Sequence, residues 1–151
     1  MHVLLDANIF TSHLLAFRRD SLISEIVRAG ILGKLTLLLP GELLDGLARK
    51  MHEKRYLAKR ISSAELAELV DILTSVSEIV PRIQEEIPAV TRDLKDDYLL
   101  AYAQVGQADY LVTGDADLLA LRQVEKTTIL TARGFWEIVK SEGEYEEGGL
   151  G

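Results

Sequence analysis

The feature that most constrains this chain is a short apolar run that ends in two closely spaced acids. Residues 110–113 read Tyr-Leu-Val-Thr and are followed by Gly and then by Asp115 and Asp117. A run of this length, bounded by Gly and acidic residues, is typical of a buried strand. The N-terminus has the same form, because the largely apolar residues 2–5 lead directly to Asp6. We therefore expect two strand ends that present acidic side chains, and we expect them to meet in space.

The rest of the chain alternates short apolar runs with segments of helical periodicity. The runs that predict strands are residues 2–5, 35–39, 78–80, 110–113 and 128–130. This alternation favours a three-layer α/β/α sandwich, in which helices cover both faces of a parallel sheet of about five strands. Residues 1–142 are predicted to form one domain, because no linker divides them. The Glu- and Gly-rich residues 143–151 are predicted to be a flexible tail.

The composition limits the classes of function that fit. The chain has no Cys, so a disulfide framework, a Cys-based zinc site and a thiol nucleophile are excluded. The lack of Cys also fits a reducing cytoplasm, which is the predicted location. No apolar run approaches the roughly 20 residues that span a bilayer, so no membrane association is predicted. The net charge of -7 counts against a general nucleic-acid binder, because affinity for nucleic acid comes largely from Lys and Arg.

Acidic residues follow four of the predicted strands. In parallel α/β sheets, ligands bind beyond the carboxyl ends of the strands, so acids at those ends are candidate site residues. They are Asp6, Glu42, Asp45, Asp96, Asp97, Asp115 and Asp117. Carboxylates that converge this closely either take up protons or share a cation. With Asn8 and Thr113 nearby, the all-oxygen set suits a hard cation such as Mg²⁺ or Mn²⁺.

Each acid also has a simpler interpretation. Asp is a preferred helix N-cap, so Asp6, Asp96 or Asp115 taken singly is more often a cap than a ligand. Asp97 and Asp117 could be solvated neighbours. The convergence of four segments favours a metal site over capping alone, although one carboxylate can do both. A cation held by several carboxylates is the usual apparatus for phosphodiester hydrolysis.

A basic run lies between the second and third predicted strands. It contains Arg49, Lys50, Lys54, Arg55 and Lys59. Such a run is either a solvated helical face or a local patch that contacts nucleic-acid phosphates. In the second case it would compensate for the acidic character of the whole chain.

Three segments occur in a recognisable order. They are Leu5-Asp6-Ala-Asn8-Ile, then Arg92-Asp-Leu-Lys-Asp96-Asp-Tyr-Leu-Leu-Ala101-Tyr-Ala103, and then Ala108-Asp-Tyr-Leu-Val-Thr-Gly-Asp115-Ala-Asp117-Leu-Leu119. Together they resemble the PIN domain family, and within it the prokaryotic VapC-like toxins. The resemblance spans about residues 2–139. Each motif alone is moderately specific, and the three in this order are strongly so.

The resemblance implies an activity, a cofactor and partners. It implies an endoribonuclease that depends on Mg²⁺ or Mn²⁺ and that hydrolyses RNA to 3′-hydroxyl and 5′-phosphate ends. It also implies a small antitoxin protein as partner and a homodimer. The basic residues 49–59 then become candidate contacts to the RNA.

The resemblance also assigns residues by position. The metal-binding acids of the family correspond to Asp6, Asp96, Asp115 and Asp117, the last at the position of a frequent fourth acid. The supporting polar positions correspond to Asn8 and Thr113. Asp96 is preferred over its neighbour Asp97 because it keeps the family's spacing to Ala103. Asp97 is predicted to support it. Catalysis is assigned to Asp6, Asp96 and Asp115, assisted by Glu42.

One position departs from the family's pattern. The family has a Glu in the helix after the second strand, and Gly46 occupies that position here. Glu42 lies one turn earlier on the same predicted face, whereas Asp45 would point about 100° away. Glu42 is therefore the predicted replacement. The departure leaves open an alternative function, a catalytically weakened module with a PIN-like fold that binds RNA or a protein.

Overall fold

The computed structural model describes residues 1–6, 9, 22–43, 45 and 63–150. The strands of this part are β1 (His2–Leu5), β2 (Thr36–Pro40), β3 (Glu78–Val80), β4 (Tyr110–Val112), β5 (Gln123–Val124) and β6 (Thr127–Leu130). The helices are α1 (Leu22–Ile31), α2 (Ser63–Val76), α3 (Leu94–Val105), α4 (Ala116–Leu121) and α5 (Ala132–Leu150). Residues 41–43 and 45, which follow β2, are helical as well.

The strands form one sheet in the order β3-β2-β1-β4-β6-β5. All neighbours are parallel except β5, which runs antiparallel to β6. The predicted α/β sandwich with five parallel strands is therefore confirmed. The sixth strand was not predicted, because β5 has only two residues and pairs through a tight turn in which Glu125 has a φ of 54°. Such a short strand leaves no alternating pattern in a sequence.

The strand order determines where a ligand can bind. β2 and β3 lie on one side of β1, and β4, β6 and β5 lie on the other. Successive connections therefore lead away from the β1–β4 pair in opposite directions. In sheets of this kind a crevice opens beyond the carboxyl ends of the two strands at which the direction changes. Those ends are Leu5 and Val112, which are directly aligned in the parallel register.

The core consists of two apolar layers, one on each face of the sheet. Alternate strand residues point to opposite faces, so Val3 and Leu5 pack with α1, α2 and α5, whereas Leu4 packs with α3 and α4. Burial on both faces explains why the strands read as continuous apolar runs. The first layer is tight at Gly30, where a Cβ would lie 2.5 Å from Leu37 Cδ1.

The last helix is longer than the sequence pattern indicates. The periodicity predicts a helix over residues 135–139, but α5 spans Ala132–Leu150. Its backbone continues through most of the predicted tail, which agrees with the good helix propensity of the many Glu residues there. That the tail is mobile stays a prediction. No helix among the described residues is long and apolar enough to cross a membrane.

Candidate metal centre

The carboxyl ends of β1 and β4 are joined by a side-chain hydrogen bond. Thr113 Oγ1 donates to Asp6 Oδ2 over 2.9 Å, and both side chains are buried. The backbone N–H of Asp6 donates to the carbonyl of Val112 over 3.0 Å. The expected meeting of the two strand ends is therefore observed. Thr113 Oγ1 also accepts from the backbone N–H of Asp115 over 3.1 Å, so this hydroxyl connects two acids.

Asp115 begins the short helix α4 as its N-cap. Its Oδ1 accepts from the backbone N–H groups of Asp117, at 2.8 Å, and of Leu118, at 3.3 Å. The capping interpretation is therefore correct for this residue. The carboxylate is nevertheless part of a cluster, because oxygens of Asp96, Asp115 and Asp117 all lie within 4.8 Å of one another. We call these three residues the acid cluster.

Asp96 is the buried member of the acid cluster. It lies in the first turn of α3 but does not cap it, since Asp93 is the N-cap and accepts from the backbone N–H of Lys95. The Asp96 side chain is 4% exposed, and its Oδ2 is buried without a hydrogen-bond partner. Burial raises the pKa of Asp96 to about 6, and repulsion from Asp115 adds to the rise. Smaller contributions come from the other acids nearby, Asp93, Asp6 and Asp117.

Asp97 is as buried as Asp96 but has a different environment. Its Oδ1 accepts from the backbone N–H groups of Thr91, at 2.7 Å, and Val90, at 3.0 Å. The hydrogen bonds, that from Thr91 foremost, hold the pKa of Asp97 below its ordinary value. Asp97 therefore anchors the segment before α3, whereas Asp96 belongs to the acid cluster. That Asp97 supports the metal site stays a prediction.

The outer acid of the cluster is paired with a cation. The exposed Asp117 accepts from Arg92 Nη2 over 3.1 Å. Arg92 was not among the predicted site residues, although it begins the second motif. A signal was available, because Asp93 is a preferred N-cap residue and so indicates that the preceding residue lies just outside the helix.

Glu42 lies apart from the acid cluster in this structure. Its Oε1 lies 3.0 Å from Arg82 Nε in an ion pair. Burial raises the pKa of the Tyr102 hydroxyl, and Glu42 contributes to that rise. It is not among the acids that raise the pKa of Asp96. The neighbouring candidate Asp45 is exposed. That Glu42 assists catalysis stays a prediction.

Several predicted residues lie outside the part of the chain that the structure describes. They are Asn8, Gly46, and the basic residues Arg49, Lys50, Lys54, Arg55 and Lys59. Their proposed roles therefore rest on the sequence alone.

The acid cluster fits a hard divalent cation. Carboxylate oxygens are the ligands that Mg²⁺ and Mn²⁺ prefer. The unpartnered Oδ2 of Asp96 is a buried acceptor without a donor, which is costly unless a cation or proton satisfies it. Asp6 is close enough to raise the pKa of Asp96, although the three-residue cluster does not include its carboxylate.

The hydroxyl that connects the two strand ends can be tested directly. Replacing Thr113 with Val keeps the shape of the side chain but removes the donor to Asp6 and the acceptor for the Asp115 N–H. We expect the free energy of unfolding, measured by urea denaturation, to fall by about 1–3 kcal/mol, because the buried carboxylate of Asp6 and the backbone N–H of Asp115 each lose a hydrogen bond. Thr113→Ser should recover most of that loss. Equal stability of the Val and Ser variants would contradict the assigned hydrogen bonds.

Comparisons with known proteins agree with this fold. Residues 2–117 match the PIN domain family, and this range includes Asp6 and the acid cluster. Among curated proteins there is no match. A chain of the crystal structure of VapBC2 from Rickettsia felis, bound to a DNA fragment from their promoter, has a similar fold with a TM-score of 0.55 and 14% identity, over 87% of this chain and 98% of that one. Since the family match covers more than half of the sequence, the chain belongs to the PIN domain family.

Proposed function

We propose that this protein is a divalent-metal-dependent endoribonuclease of the PIN toxin type. The observation that carries the proposal is the acid cluster at the crevice between β1 and β4, with the unpartnered buried oxygen of Asp96 at its inner side. Membership of the PIN family supports it, because PIN domains are generally nucleases. Four acids that the sequence assigned to the metal site lie within the matched range.

We assign different roles to the residues of the site. Asp96, Asp115 and Asp117 would hold the cation, Mg²⁺ or Mn²⁺, with Asp6 adding negative charge beside them. When bound, such a cation makes water more acidic and offsets the charge on a phosphodiester. Thr113 fixes the orientation of Asp6 through its hydroxyl. This hydrogen bond orders the Asp6 carboxylate whether or not Asp6 binds the cation directly.

The cellular setting belongs to the same proposal. The structural neighbour is a VapBC2 assembly bound to promoter DNA, which supports a cognate antitoxin as partner of this chain. We further propose a homodimer, a cytoplasmic location and contacts from the basic residues 49–59 to the RNA.

The activity can be tested with purified protein and a labelled single-stranded RNA. We expect cleavage with Mg²⁺ or Mn²⁺, none with a chelator, and fragments that carry 5′-phosphates. A DNA oligonucleotide of the same sequence is the substrate control and should remain intact. Cleavage that persists in the chelator would contradict metal dependence.

The same experiment distinguishes the nuclease from the alternative function, a catalytically weakened module that binds RNA or a protein. Tight binding of RNA without turnover would favour the catalytically weakened module. In that case Gly46→Glu, which restores the acid of the family's pattern, should produce or raise cleavage. Efficient turnover by the wild-type protein would exclude this alternative.

A further inference from the structure

We propose that Arg92 binds a phosphate group of the nucleic-acid substrate beside the acid cluster. The inference rests on the proposed nuclease function and adds a substrate-binding residue to it. It starts from the ion pair between Arg92 and Asp117, which places a guanidinium group 3.1 Å from an oxygen of the outer acid.

The backbone around Arg92 is held in place although it lies in a loop. Asp97 accepts hydrogen bonds from the backbone N–H groups of Val90 and Thr91. Thr91 Oγ1 donates to the carbonyl of Asp93 over 2.8 Å and accepts from the Asp93 N–H over 3.1 Å. These bonds fix the residues on both sides of Arg92 to the start of α3. A side chain that begins from an ordered backbone loses less conformational entropy when it binds a ligand.

The contact of Arg92 with Asp117 leaves the guanidinium available. The Arg92 side chain is 87% exposed, and within the described part of the chain Asp117 is the one acid paired with it. Exposed ion pairs contribute little stability, so a competing anion can displace or share this one at small cost. Arg presents several N–H donors in a planar fork that matches the oxygens of a phosphate. It can therefore keep Asp117 with one donor and bind a phosphate with others.

A positively charged side chain beside the acid cluster would help a nucleic acid to approach the site. The chain has a net charge of -7, and the acid cluster adds local repulsion against a polyanion. A guanidinium at the outer edge of the cluster offsets that repulsion where a phosphodiester would arrive. Arg28, by contrast, pairs with Glu25 on α1. Helix α1 packs on the face of the sheet opposite to α3 and α4, from which the acid cluster comes. Arg28 thus provides a matched control, an exposed ion-paired Arg away from the cluster.

The test compares Arg92→Gln, Arg92→Lys and Arg28→Gln. The first readout is steady-state cleavage of a single-stranded RNA with Mn²⁺. The second is binding of a fluorescent single-stranded RNA to each variant combined with Asp96→Asn, measured over a range of salt concentrations. The third is Mn²⁺ affinity without RNA. For Arg92→Gln we expect KM to rise and RNA affinity to fall roughly ten- to a hundredfold, because a charge-assisted hydrogen bond is lost.

The expected pattern of the other readouts separates substrate binding from a structural role. The slope of log affinity against log salt should become shallower by about 0.7, the value for one phosphate contact on a single strand. Mn²⁺ affinity of Arg92→Gln should stay equal or increase, because Asp117 loses a competing cation. Arg92→Lys should recover part of the RNA affinity, since it keeps the charge but not the fork. Arg28→Gln should match the parent protein in all three readouts.

Two results would overturn the inference, and they differ in what they say of the function. If wild-type protein cleaves RNA and Arg92→Gln leaves KM, RNA affinity and the salt slope unchanged, Arg92 serves Asp117 alone and the nuclease proposal stands. If wild-type protein neither cleaves nor binds RNA with Mn²⁺, the proposed function fails and the inference fails with it.

Discussion

Replacing Asp96 with Asn is expected to abolish RNA cleavage and, at the same time, to stabilise the metal-free protein at neutral pH. Asp96 has a buried oxygen without a partner, and burial together with the neighbouring acids raises its pKa to about 6. Its charge therefore destabilises the folded state unless a cation is bound. Asn has nearly the same shape and no charge. We expect cleavage to fall by more than about a hundredfold, because the proposed metal site would lose its buried oxygen ligand.

The stability gain depends on pH in a way that follows from the raised pKa. Between the ordinary value of 3.8 and about 6, the folded protein binds more protons at Asp96 than the unfolded chain does. The free energy of unfolding of the wild type consequently decreases as the pH rises through this window. The shift corresponds to on the order of 3 kcal/mol at pH 7. The difference between Asp96→Asn and wild type, measured by urea denaturation in a chelator, should grow from pH 4 to pH 7 and then level off.

Metal ions should reverse the order of stability. A divalent cation that binds the folded state alone stabilises it by mass action, by about 2.7 kcal/mol at a hundred times its Kd. Mn²⁺ should therefore raise the Tm of the wild type at pH 7 and have much less effect on Asp96→Asn. A wild-type protein whose Tm does not respond to millimolar Mn²⁺ or Mg²⁺ would contradict the metal site.

Asp97→Asn is the matched control for this variant. The two residues are adjacent and both are 4% exposed, but the pKa of Asp97 is lowered by hydrogen bonds, that from Thr91 foremost. The charged form of Asp97 is thus favoured in the folded state, so its neutral replacement should destabilise the protein. Its contribution is present above the ordinary pKa and is lost as the pH falls through the lowered value. Stability changes of the same sign in the two variants would refute the division of roles.

The sequence was sufficient to predict which acids lie at the carboxyl ends of β1 and β4. Alternating apolar runs and helical segments favour parallel strands, and parallel strands bring their carboxyl ends to one edge. Asp6 and Asp115 follow directly from that rule, because each stands one to three residues after a strand. Asp96 required the additional spacing of the family motif. The placement of these acids could be predicted because it depends on backbone topology, which the apolar pattern indicates. That they bind a metal stays a prediction.

Other features of the site depend on contacts between distant residues, which a pattern cannot contain. The position of Glu42 on a helical face was predicted, but its ion pair with Arg82 bridges 40 residues of sequence. The division between Asp96 and Asp97 likewise depends on which carboxylate the 90–91 backbone approaches. The cap at Asp93 is compatible with the sequence, since Asp is a preferred N-cap residue. The sequence alone does not select Asp93 as the cap, because Asp96 and Asp97 follow within four residues and are equally suitable cap residues.

Asp115 provides the sharpest test of whether the acid cluster is more than a set of helix caps. It caps α4 through Oδ1 and belongs to the cluster as well. Asn is as good an N-cap as Asp, whereas Ala cannot cap. Asp115→Asn should therefore preserve the free energy of unfolding in a chelator, apart from relief of repulsion. Asp115→Ala should lose about 1 kcal/mol of capping energy relative to Asp115→Asn.

Function should not follow stability in this pair of variants. Both remove the carboxylate, so both should lower Mn²⁺ affinity and reduce RNA cleavage by about a hundredfold or more. Both should also lower the pKa of Asp96, observable by NMR titration without metal, because Asp115 is the strongest charged neighbour that raises it. If Asp115→Asn keeps wild-type Mn²⁺ affinity and cleavage while only Asp115→Ala is impaired, Asp115 is a cap and the metal site must be sought elsewhere. If both lose Mn²⁺ affinity equally, a single carboxylate at the end of β4 both starts a helix and binds the metal.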